Sequence, residues 1–194
     1  PFGGSSTTTT SYAAFADATF ELTEALYLTV GARYSNDEVT DAYFKTNFGT
    51  TFYEGADGSI IPVDPAVTPP GSEIAVDDLD NDSVTPRIVL RYALSDDANV
   101  YASFTQGYKA GILNVGGLSQ LPVEPEKIDA YEIGYKIDKG TFALDLASYY
   151  YDYKDLQFSS FQNGAAQIRN AGASEVYGLE AQSRFQLTDD FSLY

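Results

Sequence analysis

The chain has 194 residues, with 28 Asp and Glu against 11 Lys and Arg, a formal charge of −17, and neither Cys nor His. That composition excludes disulfides, thiolate metal sites and thiol nucleophiles, and it removes the commonest general base and transition-metal ligand. The acidity opposes nucleic acid, and with a mean hydropathy of −0.21 no stretch approaches the roughly 20 apolar residues of a helical membrane span.

The predicted elements are strands, because apolar and polar residues alternate through most of the chain. Strand one lies near Tyr12 to Leu22, with Tyr12, Ala14, Ala16, Ala18, Phe20 and Leu22 on one face. Thr23, Glu24 and Ala25 turn into strand two, Leu26 to Ser35. It sets Leu26, Leu28, Val30, Ala32 and Tyr34 against Tyr27, Thr29, Gly31, Arg33 and Ser35. Residues 36–82 then hold eleven acids and one base, Lys45, together with Pro62, Pro65, Pro69 and Pro70. This reads as a long, solvated acidic loop. Strand three is near Pro86 to Leu94, and a turn at Ser95 to Asn99 leads into strand four, Val100 to about Tyr108. A Gly-rich loop runs to Lys127, and strand five follows from Ile128 to Ile137. Asp138, Lys139 and Gly140 turn into strand six, Thr141 to about Lys154. A polar loop covers roughly 157–172. Strand seven is near Ser174 to Leu187, and an eighth begins at Phe191.

The connections alternate short and long, as in an up-and-down membrane meander with short periplasmic turns and long outer loops. Tyr27, Tyr92 and Tyr101 fall near the short-turn ends. Tyr34, Tyr108, Tyr131, Tyr151 and Tyr153 fall near the long-loop ends, an arrangement suited to two interfacial girdles. In such a wall Arg33, Arg87, Arg91, Glu132, Lys136, Asp145, Glu180 and Arg184 must point into the lumen, pairing across strands or holding an internal plug, because charge facing lipid is costly. The expected fold is therefore all-β, an antiparallel up-and-down transmembrane β-barrel segment of about eight strands. Pro1 at the start, and a strand that has only begun at Tyr194, suggest an internal piece of a longer protein.

Candidate ligand contacts are the loop aromatics Tyr43, Phe44, Phe48, Phe52 and Tyr53, with Tyr108, Lys109, Phe158 and Phe161 from the other outer connections. Such aromatics can stack on sugars or aromatic siderophores, or pack on one another. Asp78, Asp80 and Asp82 resemble the start of a calcium loop, but Ser83 stands where Gly is required and Val89 where the closing Glu belongs. Gly107, Gly111, Gly116 and Gly117 lack the Gly-Lys-Ser/Thr of a phosphate loop. No metal, cofactor or catalytic residue is expected. Two other classes share the composition: a passive porin-like channel, and a soluble β-sheet carbohydrate-binding protein or glycosidase. For the latter, no acidic pair is marked as catalytic.

Six stretches carry a family resemblance. Val100 to Asn114 (VYASFTQGYKAGILN), Val123 to Lys136 (VEPEKIDAYEIGYK), Tyr149 to Gln157 (YYYDYKDLQ) and Asn170 to Glu180 (NAGASEVYGLE) resemble successive motifs of TonB-dependent outer-membrane receptors. Tyr12 to Ala18 and Leu28 to Tyr34 are similar to two of their barrel strands, and all six occur in the family's order. The finer likeness is to receptors of sphingomonad-like and other α-proteobacteria. The resemblance implies a place in the bacterial outer membrane and a roughly 22-stranded barrel closed by an N-terminal plug. It implies no enzymatic activity, but uptake of a scarce nutrient such as a ferric siderophore, cobalamin or an oligosaccharide. The implied partners are the TonB–ExbB–ExbD complex, outer-membrane lipid and lipopolysaccharide, and the ligand. Residues 1–194 would be a partial barrel domain, with signal peptide, TonB box, plug and C-terminal strands outside it.

Overall fold

The computed structural model describes residues 5–46, 52–54, 59–64, 66–114, 122–162, 165–188 and 190–193. Its elements are β1 (Ser5–Glu21), β2 (Leu26–Lys45), β3 (Phe52–Glu54), β4 (Ile60–Pro62), β5 (Glu73–Ala75), β6 (Leu79–Ser95), β7 (Ala98–Lys109), β8 (Glu126–Asp138), β9 (Phe142–Lys154), β10 (Gln157–Gln162), β11 (Ala165–Asn170), β12 (Ser174–Thr188) and β13 (Phe191–Leu193). The main sheet runs β1-β2-β6-β7-β8-β9-β12-β13, with β5 beside the far end of β2. Every pairing is antiparallel, and β3–β4 and β10–β11 are separate hairpins.

At one end of the sheet the connections are short. Leu22 to Ala25 joins β1 to β2, Asp96 and Asp97 join β6 to β7, and Lys139 to Thr141 joins β8 to β9. Gly140 holds φ +78°, a left-handed position that Gly adopts without steric cost, and its N–H donates to Asp138 Oδ1 at 2.8 Å. All the long connections lie at the other end, as the sequence predicts.

The pleat separates two chemistries. On one face, successive cross-strand rows read Val100–Tyr135–Leu146–Ala181, Ala102–Ile133–Ser148–Leu179 and Phe104–Tyr131–Tyr150–Tyr177. Leu28, Val30 and Ala32 continue this face on β2, opposite Leu90, Ile88 and Pro86 of β6. Pro86 has no N–H to donate, and the β6–β7 ladder starts one residue later, at Arg87 with Thr105. Ile133 is 67 % exposed and Leu179 83 %, so this apolar face has no protein cover. Its boundary is sharp. The next row toward the loop end is Gln106–Asp129–Asp152–Glu175. The rings of Phe104 and Tyr131 lie 5.0 Å apart and those of Tyr131 and Tyr150 6.2 Å, making an aromatic rail directly under that polar row. The rings of Phe142 and Phe185, 4.9 Å apart, sit at the turn end.

Two expectations need correction, and the departure of 78–83 from a calcium loop gains a structural reason. The strands do not stop at Ser35 and Pro86: β2 runs on to Lys45 and β6 begins at Leu79, so both edges of the predicted 36–82 loop are hairpin. The 157–172 loop likewise contains the β10–β11 hairpin. The tyrosine girdle is also smaller than height along the strand suggested. Tyr34, Tyr92 and Tyr131 are on the apolar face, but register places Tyr27, Tyr101, Tyr151 and Tyr153 on the other. Finally, residues 79–82 are strand, so Asp80 and Asp82 share one face while Asn81 points to the other. They cannot wrap an ion as a calcium loop does.

Beyond the regular sheet, β2 carries a bulge. Its register with β1 shifts between Ser6/Tyr43 and Thr8/Thr40, and Asp41 takes φ +53°. The extra residue reverses the alternation, so Val39, Ala42 and Phe44 face the same way and bury together with Val76 and Leu113. This small core ties the extended β2–β5–β6 hairpin to the segment after β7.

Candidate functional site

The polar face holds all eight charged residues predicted to share it: Arg33, Arg87, Arg91, Glu132, Lys136, Asp145, Glu180 and Arg184. Residues of small or absent side chain let charges meet across an intervening strand. Asp17, Gly31 and Arg87 are aligned on β1, β2 and β6, and Arg87 Nη1 reaches Asp17 Oδ1 at 3.1 Å over the glycine. A side chain at position 31 would occupy the place of the Asp17 carboxylate. Asp138, Ala143 and Arg184 repeat the arrangement on β8, β9 and β12, with Arg184 Nη2 3.2 Å from Asp138 Oδ1. Lys136 and Asp145 pair directly at 3.7 Å.

Aromatic rings use two further glycines. Tyr101 lies against Gly134 and Tyr149 against Gly178. The Tyr101 hydroxyl donates to Glu132 Oε1 at 2.6 Å, and Tyr149 stacks on Tyr151 at 4.8 Å. Beside them is an open depression of about 620 Å³, lined by Tyr101, Glu132, Lys136, Asp145, Glu180 and Gln182. The charges left over are segregated. Among the described residues, Arg33 and Arg91 meet no carboxylate: Arg33 Nε donates to Ser35 Oγ at 3.1 Å, and Arg91 lies 4.1 Å from the Tyr27 ring centroid. Glu132 and Glu180, on β8 and β12, meet no cation among the described residues. Of the eight charges, the cations left over are thus on β2 and β6 and the carboxylates left over on β8 and β12, while Glu21 of β1 shares the face in the Tyr27–Arg91 row.

At the loop end the predicted contact residues do not form one cluster. Phe44 is buried in the small core, where its work is packing. Tyr43 points the other way, with Lys45 Nζ 5.8 Å from its ring centroid. Tyr108 is half-buried with no partner for its hydroxyl, and burial, reinforced by Asp37, Asp82 and Asp80, pushes its pKa up. Lys109 and Phe158 are exposed. Phe52 and Tyr53 lie in β3 and Phe161 in β10, but their side chains, like Phe48 altogether, fall outside the described residues.

Sequence reasoning missed what joins these connections. Gln157 is only 9 % exposed, and its Nε2 donates to the carbonyls of Ala110 and Glu124 at 2.8 and 3.1 Å. Asn170 and Asn114 make similar side-chain bonds to Glu124 and Ile168. All three residues stand in the quoted motifs, which was the available signal. Their convergence was not readable, because they are separated by tens of residues.

Beside the polar row, Lys154 Nζ meets Asp129 Oδ2 at 2.7 Å and Gln106 Nε2 donates to Asp129 Oδ1 at 2.7 Å. The Lys154 hydrogen bond, then that of Gln106, holds the Asp129 carboxyl below the ordinary carboxylate range. A lowered pKa means stability that is complete above the unfolded value near 4 and is lost as pH falls through the folded value. D129N in the full-length protein is therefore expected to flatten this part of the acid limb of unfolding. The check is chemical unfolding at pH 7 and pH 3, and equal pH slopes for both proteins would contradict it.

A family model described as TonB dependent receptor-like, beta-barrel, matches residues 1–194. The chain belongs to that family. It is 28 % identical over 189 residues to the pesticin receptor of Yersinia enterocolitica, covering 96 % of this chain and 25 % of the relative. It is 27 % identical over 202 residues to the rhizobactin receptor of Rhizobium meliloti, covering 93 % and 25 %. Among solved structures, the ferric yersiniabactin uptake receptor of Yersinia pestis superposes with a TM-score of 0.73 at 25 % identity, covering 97 % of this chain and 26 % of that one. The chain thus spans about a quarter of the length of these relatives. With the family known, the two faces take their names. The apolar face with its aromatic rail is the lipid face of an outer-membrane barrel, and the charged face is the lumen.

Proposed function

We propose that this chain is one arc of the wall of a receptor that takes up a ferric siderophore across the outer membrane, driven by the TonB–ExbB–ExbD complex. The observation that carries the reading is the lumen face. Its Arg33, Arg91, Glu132 and Glu180 have no ion-pair partner among the described residues of the wall. Such charges suit a removable occupant. A plug presenting carboxylates to β2 and β6 and cations to β8 and β12 would be held by contacts that are individually weak in a wet lumen and therefore separable under load. Relatives named for rhizobactin and for ferric yersiniabactin uptake favour a siderophore over cobalamin or an oligosaccharide as ligand. The polar row at the loop end would meet the lipopolysaccharide headgroups that surround the barrel.

The test is uptake of radiolabelled iron by cells whose only siderophore receptor is the full-length protein. Ferric yersiniabactin, ferric rhizobactin, labelled cobalamin and a labelled oligosaccharide are supplied in turn, in hosts with and without TonB. Saturable, TonB-dependent uptake of a ferric siderophore is expected. Uptake that persists unchanged without TonB would establish a passive channel instead, and uptake of only a non-iron probe would overturn the siderophore assignment.

A further inference from the structure

Amide side chains fasten two of the long connections to each other, and an apolar core ties the third to them. Between β7 and β8, the described residues 110–114 and 122–125 form the two legs of a strap, which pair at Ile112 and Val123: each N–H donates to the other's carbonyl, at 3.0 and 2.8 Å. The β10–β11 hairpin lies beside it. Within the described residues no backbone hydrogen bond links strap and hairpin; side chains do so instead. Asn114 Nδ2 donates to the Ile168 carbonyl at 2.8 Å, and its Oδ1 accepts from the Ile168 N–H at 3.0 Å. Asn170 treats Glu124 in the same way, at 2.9 and 2.8 Å, while its Nδ2 also donates to the Asp155 carbonyl at 2.7 Å. A carboxamide presents an N–H and a carbonyl side by side, with a second N–H to spare, so each asparagine substitutes for a strand neighbour. Gln157 closes the assembly. Its Nε2 bridges the two legs of the strap through Ala110 and Glu124, and its own N–H donates to Glu126 Oε2 at 2.8 Å. The strap is anchored in turn, because Leu113 is part of the core that buries Phe44 and Val76.

The bonds of Gln157 and Asn114 are part-buried, where a carbonyl that loses its donor is costly, while those of Asn170 lie at the surface and add a second tie between the same two segments. Lys109 precedes the strap and Phe158 follows Gln157, so the clamp fixes the spacing of two exposed side chains that belong to different connections. We propose that Gln157, Asn114 and Asn170 are positioning residues that join the strap and the β10–β11 hairpin into a single unit, presenting Lys109 and Phe158 as one ligand-contacting surface at the outer mouth. The ligand-facing part rests on the uptake reading above; the mechanical coupling does not.

The two parts are tested separately on the full-length receptor in detergent. Hydrogen exchange is measured on the unmutated protein and on Gln157→Glu, Asn170→Ala and Asn114→Ala. Gln157→Glu keeps the shape but sets an acceptor against two carbonyls. Coupling is reciprocal, so a change in either segment must register in the other. About tenfold faster exchange is expected at Ile112 and Val123 when the hairpin residue Asn170 is changed, and in β10–β11 when the strap residue Asn114 is changed, with Ile133 and Leu146 in the wall unaffected. Exchange that accelerates only in the mutated segment overturns the proposal. Binding of ferric yersiniabactin and ferric rhizobactin is then measured on the same variants. Weakening of about tenfold or more in Gln157→Glu and Asn170→Ala, with Lys109→Ala and Phe158→Ala weakening to a similar degree, is expected. Unchanged affinity in coupled variants overturns the positioning role. If the unmutated receptor binds neither probe, it is the uptake reading that fails, while the exchange result stands by itself.

Discussion

Arginine in place of Leu179 is expected to lower the stability of the full-length barrel in lipid by about 1–2 kcal/mol, between the small cost of a cation at the membrane interface and the full cost at the bilayer midplane. Leu179 is suited to the test. It lies in the row Ala102–Ile133–Ser148–Leu179, one step below the aromatic rail that marks the edge of the apolar band. Its side chain is 83 % exposed to whatever surrounds the protein, so the substitution removes little protein packing and reports almost purely on the medium. The next residue, Glu180, points into the lumen, and arginine there meets water. The measurement is equilibrium unfolding by urea from lipid vesicles for L179R and E180R. A cost confined to L179R supports the assignment of faces. Equal stability of L179R and the unmutated protein would mean that this face does not meet lipid.

Valine at Gly134 is expected to cost about 1–3 kcal/mol by a different route. Tyr101 occupies the space a side chain at 134 would take. Its hydroxyl donates to Glu132 at 2.6 Å, and Lys136 Nζ stands 5.7 Å from its ring centroid. Moving the ring disturbs both contacts. Tyr101→Phe separates the two contributions, since it keeps the ring over the glycine and loses only the hydrogen bond, an effect of about 0.5–1.5 kcal/mol. The decisive measurement is the double-mutant cycle of Gly134→Val with Tyr101→Ala. With the ring gone the valine has room, so the combined loss should fall short of the sum of the single losses. Strict additivity would show that the ring and the glycine do not depend on each other.

The sheet was largely legible beforehand, for a reason visible in β8. Tyr131, Ile133, Tyr135 and Ile137 face one way, and Ala130, Glu132, Gly134 and Lys136 the other, because an uninterrupted pleat fixes parity residue by residue. The same rule assigned all eight lumen charges to one face. Parity divides the tyrosines as well: Tyr27, Tyr101, Tyr151 and Tyr153 share the charged face although their heights along the strands match a girdle. At Asp41 parity itself fails. The bulge there turns Phe44 into the small core, so an aromatic that composition offered as a ligand contact is buried in this structure. The acidity of 36–82 had a similar effect. It signalled solvation correctly, but solvated strands read like loops, and the extensions of β2 and β6 went unseen.

What the sequence determined by itself was the alternation, hence the all-β meander, its two chemistries, the ends at which its connections are short or long, and, through motif order, the family. Those properties are local, set by pleat and turn chemistry within a few residues of one another. The tertiary structure alone decided which distant groups meet: Asp17 with Arg87 across Gly31, Tyr101 over Gly134, Leu113 beside Phe44, and Gln157 between Ala110 and Glu124. Each depends on the register between strands or on the path of a long connection. A backbone carbonyl that receives a glutamine leaves no mark on the identity of its own residue, so no pattern of side chains along the chain could announce that bond.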